Sequence, residues 1–214
     1  MIQYEKLGIF LSRPIAFLLV IIYLLQSGLL VYLINDKYEL EKQISFQQKK
    51  IRELEEKLQV FKAIDDFQIG FKEDEVRQLT DVIYTESKKY DYDPMFVLAI
   101  ILTESSFRRG QVSPTGARGL MQVAPFVGKH VAPRAGIDWQ GDSTLFEPQA
   151  NIKLGTFHLF ELILKFHDVR KALVAYNVGE TRLRSLIRKQ KPIPGKYLNR
   201  VLENYRKLKE EYTA

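Results

Sequence analysis

The residue best suited to chemistry in this sequence is a glutamate at the end of an apolar run. Glu104 directly follows the segment FVLAIILT at positions 96–103. Apolar surroundings disfavour an ionised carboxylate, and so does the negative end of a helix dipole. Both effects raise the pKa of Glu104 towards the range that a general acid needs near neutral pH. Taken alone, the position is more typical of a solvated glutamate at a helix end.

Short blocks of sequence around this glutamate change that interpretation. They read ESSF at 104–107, SPTGARGLMQV at 113–123, NIKLG at 151–155, ALVAYNVG at 172–179 and YLNRV at 197–201. Their order and spacing closely resemble the catalytic domain of the SLT-type lytic transglycosylases. That family is related to goose-type lysozyme and cleaves peptidoglycan. The resemblance extends from about Glu73 to Tyr212.

The resemblance implies a lysozyme-like helical domain with a long groove for a glycan strand. Glu104 matches the catalytic glutamate, which first protonates the glycosidic oxygen and then acts as a base. Gln122 matches a glutamine that contacts sugar, and the Tyr176 hydroxyl is expected near the carboxylate or the N-acetyl group. The resemblance also implies that Ser105 and Ser113 are positioning residues and that Tyr197 lines or supports the groove. The implied substrate-binding residues are Ser105, Ser113, Gln122, Tyr176, Asn177 and Tyr197.

The blocks contain no second carboxylate, although a glycosidase normally uses two. The acidic residues outside them that could serve are Asp138, Asp142, Glu147, Glu161 and Glu180. A single acid fits a reaction in which the substrate supplies its own nucleophiles. In lytic transglycosylases the N-acetyl oxygen can assist departure and the 6-hydroxyl then closes a ring, which leaves a 1,6-anhydromuramoyl end.

Two other functions stay open at this point. One is a hydrolytic muramidase of the goose-lysozyme type, which differs only in what attacks the anomeric carbon. The other is a non-catalytic, wall-binding scaffold in a larger envelope machine. The intact Glu104 and the AYN sequence at 175–177 favour an enzyme over a scaffold.

The chain departs from the family pattern at two places. Many members carry Met two positions after the glutamine of GLMQ, where this chain has Ala124. Many also carry a Glu-Thr pair shortly before the last tyrosine, whereas the stretch IPGKY at 193–197 contains no acid. The first difference predicts a less filled groove wall. The second leaves the single-acid mechanism intact but removes an acidic residue on which subsite detail and efficiency could depend.

Composition restricts cofactors and partners. The chain has no cysteine, and its three histidines show no spacing typical of metal ligands. No phosphate-binding glycine loop is present, so the sequence predicts neither a cofactor nor a metal. A net charge of +6 over 214 residues fits nucleic acid, acidic phospholipid or an anionic wall polymer. Because of the resemblance, we expect peptidoglycan as the partner and no nucleic acid. An envelope or secretion machine could also use such an enzyme to open the wall locally.

The N-terminal part of the sequence predicts a membrane anchor. After a short tail at 1–14, residues 15–34 are uncharged and long enough to cross a bilayer. A signal peptide usually has a shorter apolar region and a small-residue cleavage site, and a buried helix is the other alternative. Basic residues flank the span on both sides and leave its orientation open. Because peptidoglycan lies outside the cytoplasm, we expect a single-pass protein of the cell (inner) membrane with a periplasmic or extracytoplasmic domain.

Residues 35–71 predict a helical stalk and hinge. A seven-residue repeat, which Gln47 interrupts, is formed by the apolar residues Leu40, Ile44, Ile51, Leu54, Leu58 and Phe61. A coiled-coil homodimer and a single amphipathic helix packed on the downstream domain both fit this pattern. The hinge is expected at 67–71, around Gly70.

Residues 72–214 predict a mainly α catalytic domain. Helices are expected at 73–89, at 95–103 after the Asp93-Pro94 start, at 151–167, at 169–178 and at 197–211. A Gly/Pro-rich stretch lies at 110–119, and a basic segment at 182–196 precedes the last helix. No alternating pattern is long enough for a large sheet.

Overall fold

A computed structural model describes residues 13–68 and 70–213, and within these ranges the chain is helical. The described residues form no β-strand, only isolated bridges that join Arg118 to Val112 and to Val123. The mainly α prediction is therefore confirmed. A short 3₁₀ helix lies at Asp142–Phe146. The α-helices are α1 Arg13–Phe67, α2 Glu73–Lys89, α3 Pro94–Glu104, α4 Pro125–Ala135, α5 Pro148–Phe166, α6 Val169–Val178, α7 Glu180–Arg188 and α8 Lys196–Tyr212.

The chain divides into two compact units, of which the first ends at Glu53. Helix α1 contains a segment that is long and apolar enough to cross a membrane, with a mean hydropathy of 2.4 and none of its residues buried. The predicted span at 15–34 lies within this helix. Apart from Arg13 and Pro14, the predicted tail at 1–14 lies outside the described residues.

The second unit begins at Leu54 and so includes the last turns of α1. Val60, Ala63 and Ile64 are fully buried in its core. Lys57 Nζ forms an ion pair with Asp81 Oδ1 of α2 over 2.9 Å. The last turns of α1, which the sequence analysis counted with the stalk, thus contribute to the core of the second unit.

The core of the second unit is built around α3. Asp93 caps this helix by accepting a hydrogen bond from the Met95 amide over 2.9 Å, and Pro94 occupies its first turn, as predicted. Most of α3 is buried, and it packs against α8 and α2. Helix α5 packs against α2, α4 and α6. The C-terminal end of α3, which carries Glu104, is thus enclosed by the rest of the domain.

Two helices differ from the sequence-based expectations. Helix α4 has no counterpart among them, because its sequence contains Gly128 and Pro133. Tertiary contact stabilises it, since Gly128 lies directly under the Trp139 ring. The first part of the predicted basic segment is helix α7, whose residue Leu183 is buried.

Candidate active site

Glu104 is the last residue of α3, and the chain turns sharply after it. Ser106 and Phe107 have φ angles of 52° and 56°, in the left-handed region that non-glycine residues rarely adopt. Phe107 is fully buried, so its ring anchors this turn in the core. The turn fixes the Glu104 side chain at the carboxyl end of a buried helix.

Helix α8 supplies the groups that surround Glu104. The Tyr197 hydroxyl, in the first turn of α8, donates a hydrogen bond to Glu104 Oε1 over 2.6 Å. Further along α8, Arg200 donates to the Thr103 carbonyl over 2.8 Å. Asn204 donates to Thr103 Oγ1 over 2.9 Å. These bonds clamp α8 to the end of α3 and hold the Tyr197 hydroxyl against the carboxyl group.

Burial dominates the electrostatics of the site. It raises the pKa of Glu104 to about 7, even though the Tyr197 hydrogen bond and the Arg200 charge both lower it. Burial also raises the pKa of Tyr197 well above its usual value, so this phenol stays protonated and remains a donor. Glu104 can therefore exchange a proton near neutral pH.

The Tyr176 hydroxyl of α6 binds main chain rather than the carboxylate. It donates to the Met121 carbonyl over 2.8 Å. Burial raises the pKa of Tyr176, and the charge of Glu104 raises it further, which indicates that the two side chains share one site. The His158 ring lies 5.5 Å from the Tyr176 ring, and burial lowers the pKa of His158 to about 4. Tyr176 thus connects the loop that contains Met121 to the surroundings of Glu104.

Gln122 pins the loop in which it lies. Its φ angle of 48° is in the left-handed region. Its Nε2 donates to the Gly119 carbonyl over 2.8 Å and to the Gln111 carbonyl over 3.0 Å. The amide group therefore links two backbone carbonyls of the loop and stabilises its conformation.

Asn151 of α5 binds the backbone of the same loop. It is fully buried, and its Oδ1 accepts a hydrogen bond from the Met121 amide over 2.7 Å. Its Nδ2 donates to the carbonyls of Arg118 and Leu145 over 2.8 and 3.0 Å. All of this amide's main polar contacts are made to backbone, so Asn151 positions the loop.

The remaining predicted residues lie at local turns or on the surface. Ser105 is buried, and its Oγ donates to the Ile101 carbonyl over 3.2 Å. Ser113 Oγ accepts a hydrogen bond from the Ala117 amide over 3.0 Å. Asn177 is exposed near the end of α6. Both serine hydroxyls support backbone turns, and substrate contact by any of these residues stays a prediction.

Several residues that build the site were not assigned a role from the sequence. Asn151 and Arg200 both stood in matched blocks, but only the fold reveals which backbone groups they bind. Gly155 stood in a block too, and a Cβ atom there would lie 2.6 Å from Met121 Sδ and 3.0 Å from the Tyr176 hydroxyl oxygen. In the described part of the chain, no cluster of three or more His, Asp and Glu side chains could hold a metal ion.

Comparison with known families identifies the second unit. The family model described as the transglycosylase SLT domain matches residues 81–199, which is more than half of the chain. The chain belongs to the transglycosylase SLT domain family. The matched region of this SLT domain contains Glu104, Gln122, Tyr176 and Tyr197.

Relatives of this SLT domain bear lytic transglycosylase names. The chain is 36% identical over 104 residues to the soluble lytic murein transglycosylase of Salmonella typhimurium, a match that covers 48% of this chain and 16% of that protein. It is 37% identical over 92 residues to membrane-bound lytic murein transglycosylase C of Actinobacillus pleuropneumoniae, which covers 42% of this chain and 25% of that protein.

A solved structure shares the fold. The X-ray structure of an inactive Glu-to-Gln mutant of lytic transglycosylase Slt from Pseudomonas aeruginosa matches with a TM-score of 0.56 and 25% identity. The match covers 63% of this chain and 24% of that one. The chain thus spans a quarter or less of each of these three proteins.

Proposed function

We propose that this chain is a membrane-anchored lytic transglycosylase of peptidoglycan. It cleaves the β-1,4 bond between N-acetylmuramic acid and N-acetylglucosamine and leaves a 1,6-anhydromuramoyl end. The observation that carries this proposal is the Glu104 carboxyl group, whose pKa is raised to about 7 and which accepts the Tyr197 hydroxyl at 2.6 Å. Membership of the SLT domain family and the names of the relatives support the same activity.

In the first half-reaction Glu104 is the acid. Its proton moves to the glycosidic oxygen of the leaving N-acetylglucosamine as the bond to the anomeric carbon breaks. The N-acetyl oxygen of the muramoyl residue forms the new bond to that carbon, which gives an oxazolinium ion. The Tyr197 hydrogen bond stabilises the Glu104 carboxylate that this step creates.

In the second half-reaction the same carboxylate is the base. It takes the proton of the muramoyl 6-hydroxyl, and the 6-oxygen attacks the anomeric carbon while the oxazoline ring opens. The 1,6-anhydro ring forms, the N-acetyl group is restored and Glu104 regains its proton. No water is consumed, so one titratable group near pH 7 serves both steps.

The charges that act on Glu104 fit this single-acid reaction. A carboxylate placed to activate water nearby would raise the pKa of Glu104 by charge repulsion. Among the described residues, the groups that act on this pKa are Tyr197 and Arg200, and both lower it. The hydrolytic muramidase and the non-catalytic scaffold remain the alternatives that an experiment must distinguish.

Mass spectrometry of digested peptidoglycan makes that distinction. The full chain, purified in a mild detergent, is incubated with purified sacculi beside Glu104→Gln and the matched control Glu73→Gln, which alters an exposed carboxyl group on α2. We expect anhydromuramoyl products from the wild type and the control but not from Glu104→Gln. Reducing muramic acid ends would mean hydrolysis instead. No product from the folded wild type would favour the scaffold.

The anchor and its orientation belong to the same proposal. The apolar segment in α1 and the membrane-bound relative support a single-pass chain in the cell (inner) membrane, with the SLT domain on the outer side. Because the chain lacks cysteine, Lys191→Cys provides one exposed thiol in the domain. A membrane-impermeant maleimide should label this thiol in intact spheroplasts. Labelling only after lysis would reverse the orientation.

A further inference from the structure

Phe126 is an aromatic side chain that the fold leaves in solvent. It is 77% exposed, whereas the next most exposed large apolar residues in the described part of the second unit, Leu54 and Leu164, are 55% and 54% exposed. The ring makes no aromatic or cation–π contact with any described residue. Burial therefore does not account for a phenylalanine here.

The geometry of α4 directs this ring away from the core. The buried residues of the helix are Gly128, Val131 and Ala132. At 3.6 residues per turn, Phe126 lies a third of a turn or more from each of them. Phe126 thus belongs to the first turn of α4 on its outer face, where a polar residue would fit equally well.

The chain connects this ring to the candidate active site by a short, fixed path. Tyr176 holds the Met121 carbonyl, and Gln122 follows directly. Val123 then exchanges backbone hydrogen bonds of 3.0 Å with Arg118. Four residues span at most about 14 Å, so Phe126 lies within that distance of Gln122 along the backbone. The residues between them are Val123, Ala124 and Pro125.

The helix that carries Phe126 is held in place at both ends. A Cβ atom at Gly128 would lie 2.7 Å from the Trp139 ring, so α4 is seated closely against that side chain. Near the other end, Arg134 forms a bidentate ion pair with Glu161 at 2.8 and 2.9 Å. A ring on such a rigid element loses little conformational freedom when it binds a ligand.

We infer that Phe126 is a sugar-stacking residue that binds a pyranose ring of the glycan strand beside the cleaved bond. The face of an aromatic ring is negative, and it attracts the C–H groups on the apolar face of a sugar. This inference rests on the proposed function, because the strand is the ligand that connects Glu104 to this surface.

Binding measured without turnover tests the inference. The full-length Glu104→Gln variant in detergent is titrated calorimetrically with the β-1,4-linked N-acetylglucosamine hexamer. We expect the added change Phe126→Ala to weaken hexamer binding about three- to tenfold, whereas Phe126→Tyr, which keeps the ring, stays within about twofold. The matched control Leu164→Ala truncates an equally apolar exposed side chain on α5 and should leave the affinity unchanged.

Three results would overturn the inference. They are an unchanged affinity in Phe126→Ala, an equal loss in Leu164→Ala, or no hexamer binding by the parent at millimolar concentration. Failure of the proposed function is read separately, from the products of the wild-type digest. Weakened binding in Phe126→Ala without anhydromuramoyl products would keep the stacking residue and reject the reaction.

Discussion

The Tyr197 hydroxyl and the Glu104 carboxyl group are 2.6 Å apart although 93 residues separate them in the chain. Tyr197 opens α8 and Glu104 closes α3, so the ends of two packed helices meet at this hydrogen bond. The bond lowers the pKa of Glu104 while burial raises it, and burial prevails. The proton affinity of the proposed acid is therefore a balance that a single substitution can change.

Removal of the Tyr197 hydroxyl should shift the pH dependence of the reaction upwards. Tyr197→Phe deletes a donor that stabilises the carboxylate, so the pKa of Glu104 rises further. Activity that needs protonated Glu104 then declines at a higher pH than in the wild type, where it declines through about 7. We expect kcat at pH 6 to fall on the order of ten- to a hundredfold, because the carboxylate formed in the first step loses its donor.

Turnover of a peptidoglycan suspension between pH 5 and pH 9 measures both effects. The control is Tyr205→Phe, which also removes a hydroxyl group from α8. The Tyr205 hydroxyl donates to Asp93 and not to Glu104. That variant should keep the wild-type pH profile. An unshifted profile in Tyr197→Phe would contradict the role assigned to the hydrogen bond.

The raised pKa of Glu104 also makes stability depend on pH. The folded pKa of about 7 exceeds the unfolded value near 4.5. The stabilising contribution is therefore complete below pH 4.5 and is lost as the pH rises through 7. Glu104→Gln cannot ionise, so its free energy of unfolding should exceed that of the wild type at pH 8, relative to pH 4, by at most on the order of 3 kcal/mol.

Denaturant unfolding followed by the fluorescence of Trp139, the single tryptophan, measures this difference. Glu161→Gln is the control with the opposite sign. The ion pair with Arg134 lowers the pKa of Glu161, so this carboxylate stabilises the fold at high pH and loses that effect as the pH falls. A constant gap between Glu104→Gln and the wild type at both pH values would refute the prediction.

Features set by neighbouring residues were predictable from the sequence. The helix predicted at 95–103 after the Asp93 cap is α3, Pro94–Glu104. The helix predicted at 169–178 is α6, Val169–Val178. The apolar run before Glu104 likewise predicted a raised pKa for its carboxyl group, because those side chains belong to the same helix. Helix α4 was not predictable in this way, since the packing of Gly128 under Trp139 is a tertiary contact.

The partners of the site residues depend on the fold. The resemblance placed Tyr176 near the carboxylate or the N-acetyl group, and only the fold reveals that its hydroxyl donates to the Met121 carbonyl. The hydrogen bond to the carboxyl group comes from Tyr197, which was expected to line or support the groove. Sequence order identifies which residues gather at a site. It does not specify which atoms meet, because that depends on how α3, α6 and α8 pack.

Close packing at Gly155 should make this glycine necessary for activity. A methyl group in Gly155→Ala would lie against the Met121 side chain and the Tyr176 hydroxyl, so one of them must move. We expect the free energy of unfolding to fall by about 1–3 kcal/mol and kcat to fall about ten- to a hundredfold. Gly195→Ala is the matched control, because its nearest atom would be 3.9 Å away. Equal activities of both variants would argue against this packing constraint.

Both removal of the Asn151 amide group and its replacement by a carboxylate should destabilise the fold. Asn151→Ala leaves the Met121 amide and two backbone carbonyls without their buried partner, which we expect to cost at least about 3 kcal/mol. Asn151→Asp keeps the acceptor but sets a carboxylate against the carbonyls of Arg118 and Leu145. It should therefore be less stable than Asn151→Ala at pH 8 and recover as the pH falls, when the protonated group can donate. Denaturant unfolding at pH 4 and pH 8 measures this order, which a solvated side chain would not produce.

Cross-linking along the exposed apolar stripe of α1 tests whether the stalk pairs with a second copy. Leu40, Ile44 and Ile51 are each about half exposed, and a parallel coiled coil would bury them at its a and d positions. The chain has no cysteine, so Ile44→Cys introduces one thiol at an a position, where two copies would approach closely enough for a disulfide. Oxidation in native membranes should then produce a dimer on non-reducing gels. Lys49→Cys, five residues further on and facing outward, should stay monomeric. If both variants cross-link equally, random collision accounts for the dimer, and if neither does, the stalk is a single helix.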